Sequence, residues 1–157
     1  MKKKRIYVET TVFSYLTSKP STNLINAARQ QTTNLWWENR RKDFHLFVAL
    51  PVIAEASNGD PDAAKKRLSV IRKLPVIGLT PEASKLADFL IKETPFPENA
   101  EIDALHIAIA CVNQFDFILT WNFKHIANAE IRSKLEILAE SQGYRLPIIS
   151  TPEEFIY

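Results

Sequence analysis

Three carboxylates and one carboxamide stand where an α/β chain can put them to chemical use. Glu9 follows the apolar run Ile6-Tyr7-Val8 in "IYVETTVFSYL", at the exit of a predicted strand. Glu55 sits in "PVIAEAS", an acid inside an otherwise apolar and small-residue helix. Asp103 lies in the first turn of "IDALHIAIACVNQ", and Asn122 in the turn after "FDFILTW". Open parallel sheets bind ligands outside the carboxyl ends of their strands, which makes Glu9 and Asn122 informative. Carboxylates that converge without basic partners repel one another and resist ionisation. A hard cation removes that conflict: Mg²⁺ or Mn²⁺ takes oxygen ligands, few of them from protein, and is commonly shared with substrate phosphates. The pattern points to metal-assisted phosphoryl chemistry. Zinc hydrolysis fits poorly, because His45, His106 and His125 show no paired ligand spacing.

Each acid also has a plainer explanation. Strands end in polar residues, Glu55 suits a solvated helix face, and Asp103 complements a helix dipole. Asp103 is the best defined of the three. At a period of 3.6 it shares a stripe with His106, Ala110 and Asn113, while Ile102, Leu105, Ile109 and Val112 form a second stripe. Ala104, Ile107, Ala108 and Cys111 fill a third. A helix apolar over most of its girth is buried, and an acid in its first turn is costly without a cationic partner.

The elements that must position these residues alternate along the chain. A strand at Ile6–Val8 leads to a short helix at Thr11–Leu16, then a long helix from Ser21 to about Arg41. A strand at Phe44–Val48 precedes a short helix opened by Pro51; "SNGDP" closes it, and the next helix runs from Asp60 or Pro61 to Leu74. "PVIGLT" reads as a third strand, and Thr80-Pro81 as a cap with proline at the first helical position. That helix reaches about Thr94, "PFPEN" is a loop, and Ala100–Asn113 is helical. "FDFILTW" is the fourth strand, followed by a loop over Asn122–Asn128 and a helix from Ala129 to about Gln142, with Gly143 at its C-cap. "LPIIS" is a last strand and "TPEEF" a terminal helical turn. The alternation predicts a mainly parallel sheet with helices on both faces.

The 157 residues suit a single domain, with 46% apolar and 24% charged residues. The net charge of +2 is too small to argue for nucleic acid by itself, although the positive charge is clumped at Lys2–Arg5, Arg40–Lys42 and Lys65–Arg67. One cysteine, Cys111, excludes an internal disulfide and a cysteine zinc cluster, and its apolar helix makes it a small buried side chain. The basic start resembles the head of a signal peptide, but the apolar run behind it stops at Glu9. No segment is long enough to span a membrane, so a cytoplasmic location is expected.

The motifs together resemble the PIN-domain family, and within it the VapC-like toxins and stand-alone PIN ribonucleases, over nearly the whole chain. "YVETTVFSYL" resembles the opening strand, acid, Thr/Ser and helix, and Glu55 stands where the second acid falls. "DALHIAIA" is the most specific match, and "FILTWNFKHI" is similar to the fourth motif. The resemblance implies a three-layer α/β/α sandwich with a central, mainly parallel sheet, forming one PIN-like domain over residues 1–157. It implies a Mg²⁺- or Mn²⁺-dependent endoribonuclease and, through the VapC-like likeness, the toxin of a type II toxin–antitoxin system. Its partners would be an RNA substrate, a cognate antitoxin protein and a second copy of the chain. The metal and catalytic set carried over is Glu9, Glu55, Asp103 and Asn122, with Thr10 or Thr120 as supporting hydroxyls.

Two positions depart from the family pattern. Glu9 is one methylene longer than the usual Asp, and Asn122 replaces an acid, keeping an oxygen donor while losing a charge. Weaker binding of a second metal is expected. Asp116 is no substitute, since the strand separates it from Asn122 by about 20 Å. A catalytically weakened scaffold that binds RNA or protein is the alternative. Among other residues, His106 reads as a packed helix histidine more readily than as a substrate contact. Lys124 and His125 fit a phosphate contact or a solvated loop about equally. Trp36-Trp37 with Arg40-Arg41 could stack bases, but the favoured arrangement is one core tryptophan and one at an interface. A haloacid-dehalogenase-like phosphatase fails for want of a nucleophilic Asp after the first strand. Rossmann and P-loop sites fail for want of a glycine-rich turn.

Overall fold

A computed structural model describes residues 1–94, 96 and 99–157. The first strand, β1 (Arg5–Val8), is the hub. Ile6, Tyr7 and Val8 are fully buried, and the strand pairs in parallel with β2 (His45–Ala49) on one side and β4 (Phe117–Leu119) on the other. Ile6 lies between Leu46 and Phe117, and Val8 opposite Leu119. Strand β3 (Val76–Ile77) extends the sheet beyond β2, and β5 (Ile148–Ser150) beyond β4. Among the described residues the sheet has five strands in the order β3-β2-β1-β4-β5, and every pairing is parallel.

Seven α-helices fill the connections among the described residues: α1 (Thr10–Thr17), α2 (Leu24–Asn39), α3 (Leu50–Ala56), α4 (Pro61–Ile71), α5 (Pro81–Glu93), α6 (Glu101–Val112) and α7 (Ala129–Ser141). The path from β1 to β3 steps one way across the sheet, and the path from β3 to β5 steps back. Right-handed crossovers therefore place α1–α4 on one face and α5–α7 on the other. This is the expected three-layer sandwich, with the sheet wholly rather than mainly parallel. The reversal of direction falls between β1 and β4. Their carboxyl ends form the crevice in which doubly wound sheets bind ligands.

Local chemistry sets the element ends. Asn23 caps α2 by accepting the Asn26 N–H at 3.1 Å, so the helix begins at Leu24 rather than at Ser21. It ends at Asn39, and Arg41–Asp43 forms a 3-10 turn. Helix α4 stops at Ile71, three residues before the expected Leu74. The strand expected over "PVIGLT" shortens to Val76–Ile77, because Thr80 leaves the sheet to cap α5, accepting the Ala83 N–H at 3.2 Å. Gly143 has φ +83°, the left-handed conformation that ends α7. "TPEEF" folds as a 3-10 turn with a capping box between Thr151 and Glu154. Of the "PFPEN" loop, residues 95, 97 and 98 lie outside the described residues.

Candidate metal centre

The site grows from the end of β1. The Glu9 N–H donates to the Leu119 carbonyl at 3.0 Å, extending the β1–β4 ladder by one bond. Glu9 then turns out of the sheet and caps α1. Its longer side chain folds back, so that Oε2 accepts from the Thr11 N–H (3.0 Å), the Thr11 hydroxyl and the Thr120 hydroxyl (2.8 Å). Among the described residues Oε1 accepts no hydrogen bond. Glu9 is only 2% exposed, and burial raises its carboxyl above the ordinary value. The charge of His106 and the Thr11 and Thr120 bonds oppose that rise.

Glu55, one residue from the end of α3, is half-buried. Its Oε1 accepts from the Thr10 hydroxyl at 2.7 Å and lies 2.5 Å from His106 Nε2. Burial pushes this carboxyl up, but the His106 bond, the His106 charge and the Thr10 bond outweigh it, and the net direction is down. His106 is fully buried on α6, with Nδ1 2.6 Å from the Tyr7 hydroxyl. Burial pulls the imidazole down, yet the Glu55 bond and the charges of Glu9, Glu55 and Asp103 raise it overall. The Tyr7 phenol is held well above its usual value by burial and by Glu9 and Glu55.

One ligand atom each from Glu9, Glu55 and His106 lies within 4.8 Å of the others. Asp103 and Asn122 form a neighbouring group. The Asn122 amide nitrogen donates to Asp103 Oδ1 at 3.1 Å, and His125 Nδ1 bonds Asp103 Oδ2. Asn122 Oδ1 is taken by the His125 backbone N–H at 3.1 Å, so Asn122 turns nitrogen rather than oxygen toward Asp103. Thr120 joins the two groups: its hydroxyl donates to Glu9 and accepts the Asn122 N–H at 2.9 Å. Among the described residues no Lys or Arg forms an ion pair with Glu9, Glu55 or Asp103.

The donor set suits a divalent cation. Two carboxylates share a buried crevice without a lysine or arginine counter-ion, and Glu9 Oε1 and Glu55 Oε2 take no hydrogen bond among the described residues. Asp116 lies at the other end of β4, bound to the Arg5 N–H at 2.8 Å and to Lys4 at 3.2 Å, away from the site.

Sequence patterns understated both histidines. His106 shares the Asp103 stripe one turn on, and that spacing is the signal that could have included it. His125 is neither solvated nor free to meet a phosphate; it is 9% exposed and committed to Asp103, while Lys124 is exposed. Trp36 is the fully buried tryptophan, and half-buried Trp37 packs against Phe13 with the Arg41 guanidinium over its ring. A groove of about 650 Å³ along α1 and α4 is lined by Ser14, Lys19, Asp60, Asp62, Lys65 and Lys66, and contains none of the acids of the centre. Cys111 is buried, which pushes its thiol up to about 12. No helix among the described residues is long and apolar enough to cross a membrane.

No family model matches the sequence, and no curated protein matches it. Solved structures do match the fold. One is the VapC20 toxin of Mycobacterium tuberculosis, described as cleaving the Sarcin-Ricin loop. It is similar at a TM-score of 0.57 and 15% identity, over 72% of this chain and 86% of that one. Another is in the structure of VapBC2 from Rickettsia felis bound to a DNA fragment from its promoter. It is similar at a TM-score of 0.54 and 15% identity, over 94% of this chain and 98% of that one. The chain has the VapC-like PIN-domain fold.

Proposed function

We propose that this chain is a divalent-metal-dependent endoribonuclease of the VapC type. The observation that carries the reading is the meeting of Glu9, which follows β1, with Glu55 of α3 and His106 of α6, without a lysine or arginine counter-ion among the described residues and with Asp103 in the hydrogen-bonded group beside them. In this reading Glu9 and Glu55 hold the ion, Asp103 completes the negative site, and His106 orients Glu55 through its Nε2 bond. Asn122 serves by orienting Asp103 through its amide. A bound Mg²⁺ or Mn²⁺ supplies charge for the scissile phosphate and a water activated for in-line attack. Thr11 and Thr120 hold Glu9, Thr10 holds Glu55, and Tyr7 holds His106, so the donors are oriented before substrate arrives. The same reading gives the chain an RNA substrate in the cytoplasm, a protein antitoxin and a homodimeric assembly.

Incubation of the purified chain with RNA and Mn²⁺ tests the proposal. Asp103→Asn should abolish cleavage at saturating metal, and undiminished cleavage by that variant would overturn the assignment. A scaffold that binds RNA or protein without cleaving it is the second reading, favoured by the capture of Asn122 Oδ1 by the His125 N–H. Calorimetry separates the two, because a degenerate site should show no Mn²⁺ binding that is sensitive to Glu55→Gln.

A further inference from the structure

His125 has no part in the acidic set, yet its geometry ties it to one member of that set. The loop after β4 folds back on itself: the Asn122 carbonyl accepts the N–H groups of Ile126 (3.2 Å) and Ala127 (2.8 Å), and Asn122 Oδ1 accepts that of His125. This turn brings the His125 ring under α6, where Nδ1 meets Asp103 Oδ2. An ionised carboxylate offers only acceptors, so Nδ1 must carry the proton and donate. The other ring nitrogen, Nε2, is buried without a hydrogen-bond partner among the described residues. A side chain kept only for packing would not carry that orphan polar atom, since a leucine or phenylalanine fills a buried space without desolvating one. Among the described residues the single polar contact of the ring is Asp103.

From these contacts we infer that His125 is a positioning residue that fixes the Asp103 carboxylate for metal binding. With Asn122 on Oδ1 and His125 on Oδ2, two of about four lone-pair sites on Asp103 are occupied, and the carboxylate can no longer rotate. The remaining lone pairs keep one direction. Hydrogen-bond partners of metal-ligating groups commonly set metal affinity in this way. The inference rests on the metal-dependent reading of the site.

Calorimetric titration of Mn²⁺ alone into wild type, His125→Phe, His125→Asn and Lys124→Ala tests it. Phenylalanine keeps the ring volume but has no N–H, whereas the asparagine amide can donate from about the position of Nδ1. His125→Phe should bind Mn²⁺ at least about 10-fold more weakly. His125→Asn should fall within about 3-fold of wild type, on the same grounds that the donor is retained. Lys124→Ala, exposed in the same loop, should bind as wild type. Wild-type affinity in His125→Phe overturns the inference, and so does an equal loss in both His125 variants. Loss of the folded circular dichroism signal in both variants makes His125 a structural residue and also overturns it. If wild type binds no Mn²⁺, the metal reading itself fails, and the positioning role with it.

Discussion

Thr120→Val tests the hydrogen-bonded frame of the site most directly. Thr120 is fully buried, and its backbone is pinned by donation to the Ser150 carbonyl at 3.0 Å. Valine matches its shape, so the substitution opens no cavity and removes only the hydroxyl. Two bonds are lost: the one donated to Glu9 Oε2 at 2.8 Å, and the one accepted from the Asn122 N–H at 2.9 Å. A bond to an ionised carboxylate contributes about 1.5–3 kcal/mol and a neutral one about 1 kcal/mol. Glu9 keeps both Thr11 donors, so it is not stranded. The expected loss is therefore about 3 kcal/mol, measured by urea denaturation without metal. Thr120→Ser, which keeps the hydroxyl and loses one methyl, should cost about 1 kcal/mol. Thr120→Val should also weaken Mn²⁺ binding by about 10-fold, because Glu9 loses one of its three orienting donors and Asn122 loses its tie to the site. A Thr120→Val protein within about 0.5 kcal/mol of wild type, the ordinary range of an inconsequential surface change, would refute the network.

Three further outcomes follow from the same geometry. Mn²⁺ at about 100 times its dissociation constant should stabilise the fold by about 2.7 kcal/mol. That amounts to a rise in Tm of about 5–10 °C for a chain of this length, and Glu55→Gln should remove the shift. Burial raises the Asp116 carboxyl, but the Arg5 N–H and Lys4 outweigh it and the net direction is down. Its stabilising contribution is thus present above the unfolded value of about 3.9 and lost as pH falls through the lower folded value. Asp116→Asn should narrow the difference in denaturation midpoint between pH 7 and acid, whereas an unchanged difference would remove Asp116 from the balance. Cys111, buried with its thiol at about 12, should react with a thiol reagent at pH 8 only as fast as the protein unfolds.

The alternation of strands and helices was legible because turn chemistry and periodicity are local. Thr80-Pro81 and Asp60-Pro61 mark helix starts where the structure has them, and the helix expected from Ala129 begins there. The Ser21 boundary was not legible: Ser21, Thr22 and Asn23 are all residue types that cap helices, and only the folded chain selects Asn23. Glu9, Glu55 and Asp103 stood out as charges in apolar surroundings, a contrast visible in one dimension. His106 and His125 did not stand out. A histidine in a helix or loop carries no local mark of the residue it meets, and theirs lie 51 and 22 positions away.

By itself, then, the sequence determined the kinds of elements, their order along the chain and which acids stand in apolar surroundings. It did so through properties that each segment carries alone: apolar period, caps, and charge where burial is costly. The tertiary structure decided the strand order β3-β2-β1-β4-β5, and brought Glu9, Glu55 and His106 together. Strands buried on both faces carry no local signal of which neighbour they pair with. It also decided that Asn122 presents nitrogen to Asp103 and that His125 holds the other oxygen. Hydrogen bonds between distant side chains exist only once packing has fixed the distance and angle between donor and acceptor.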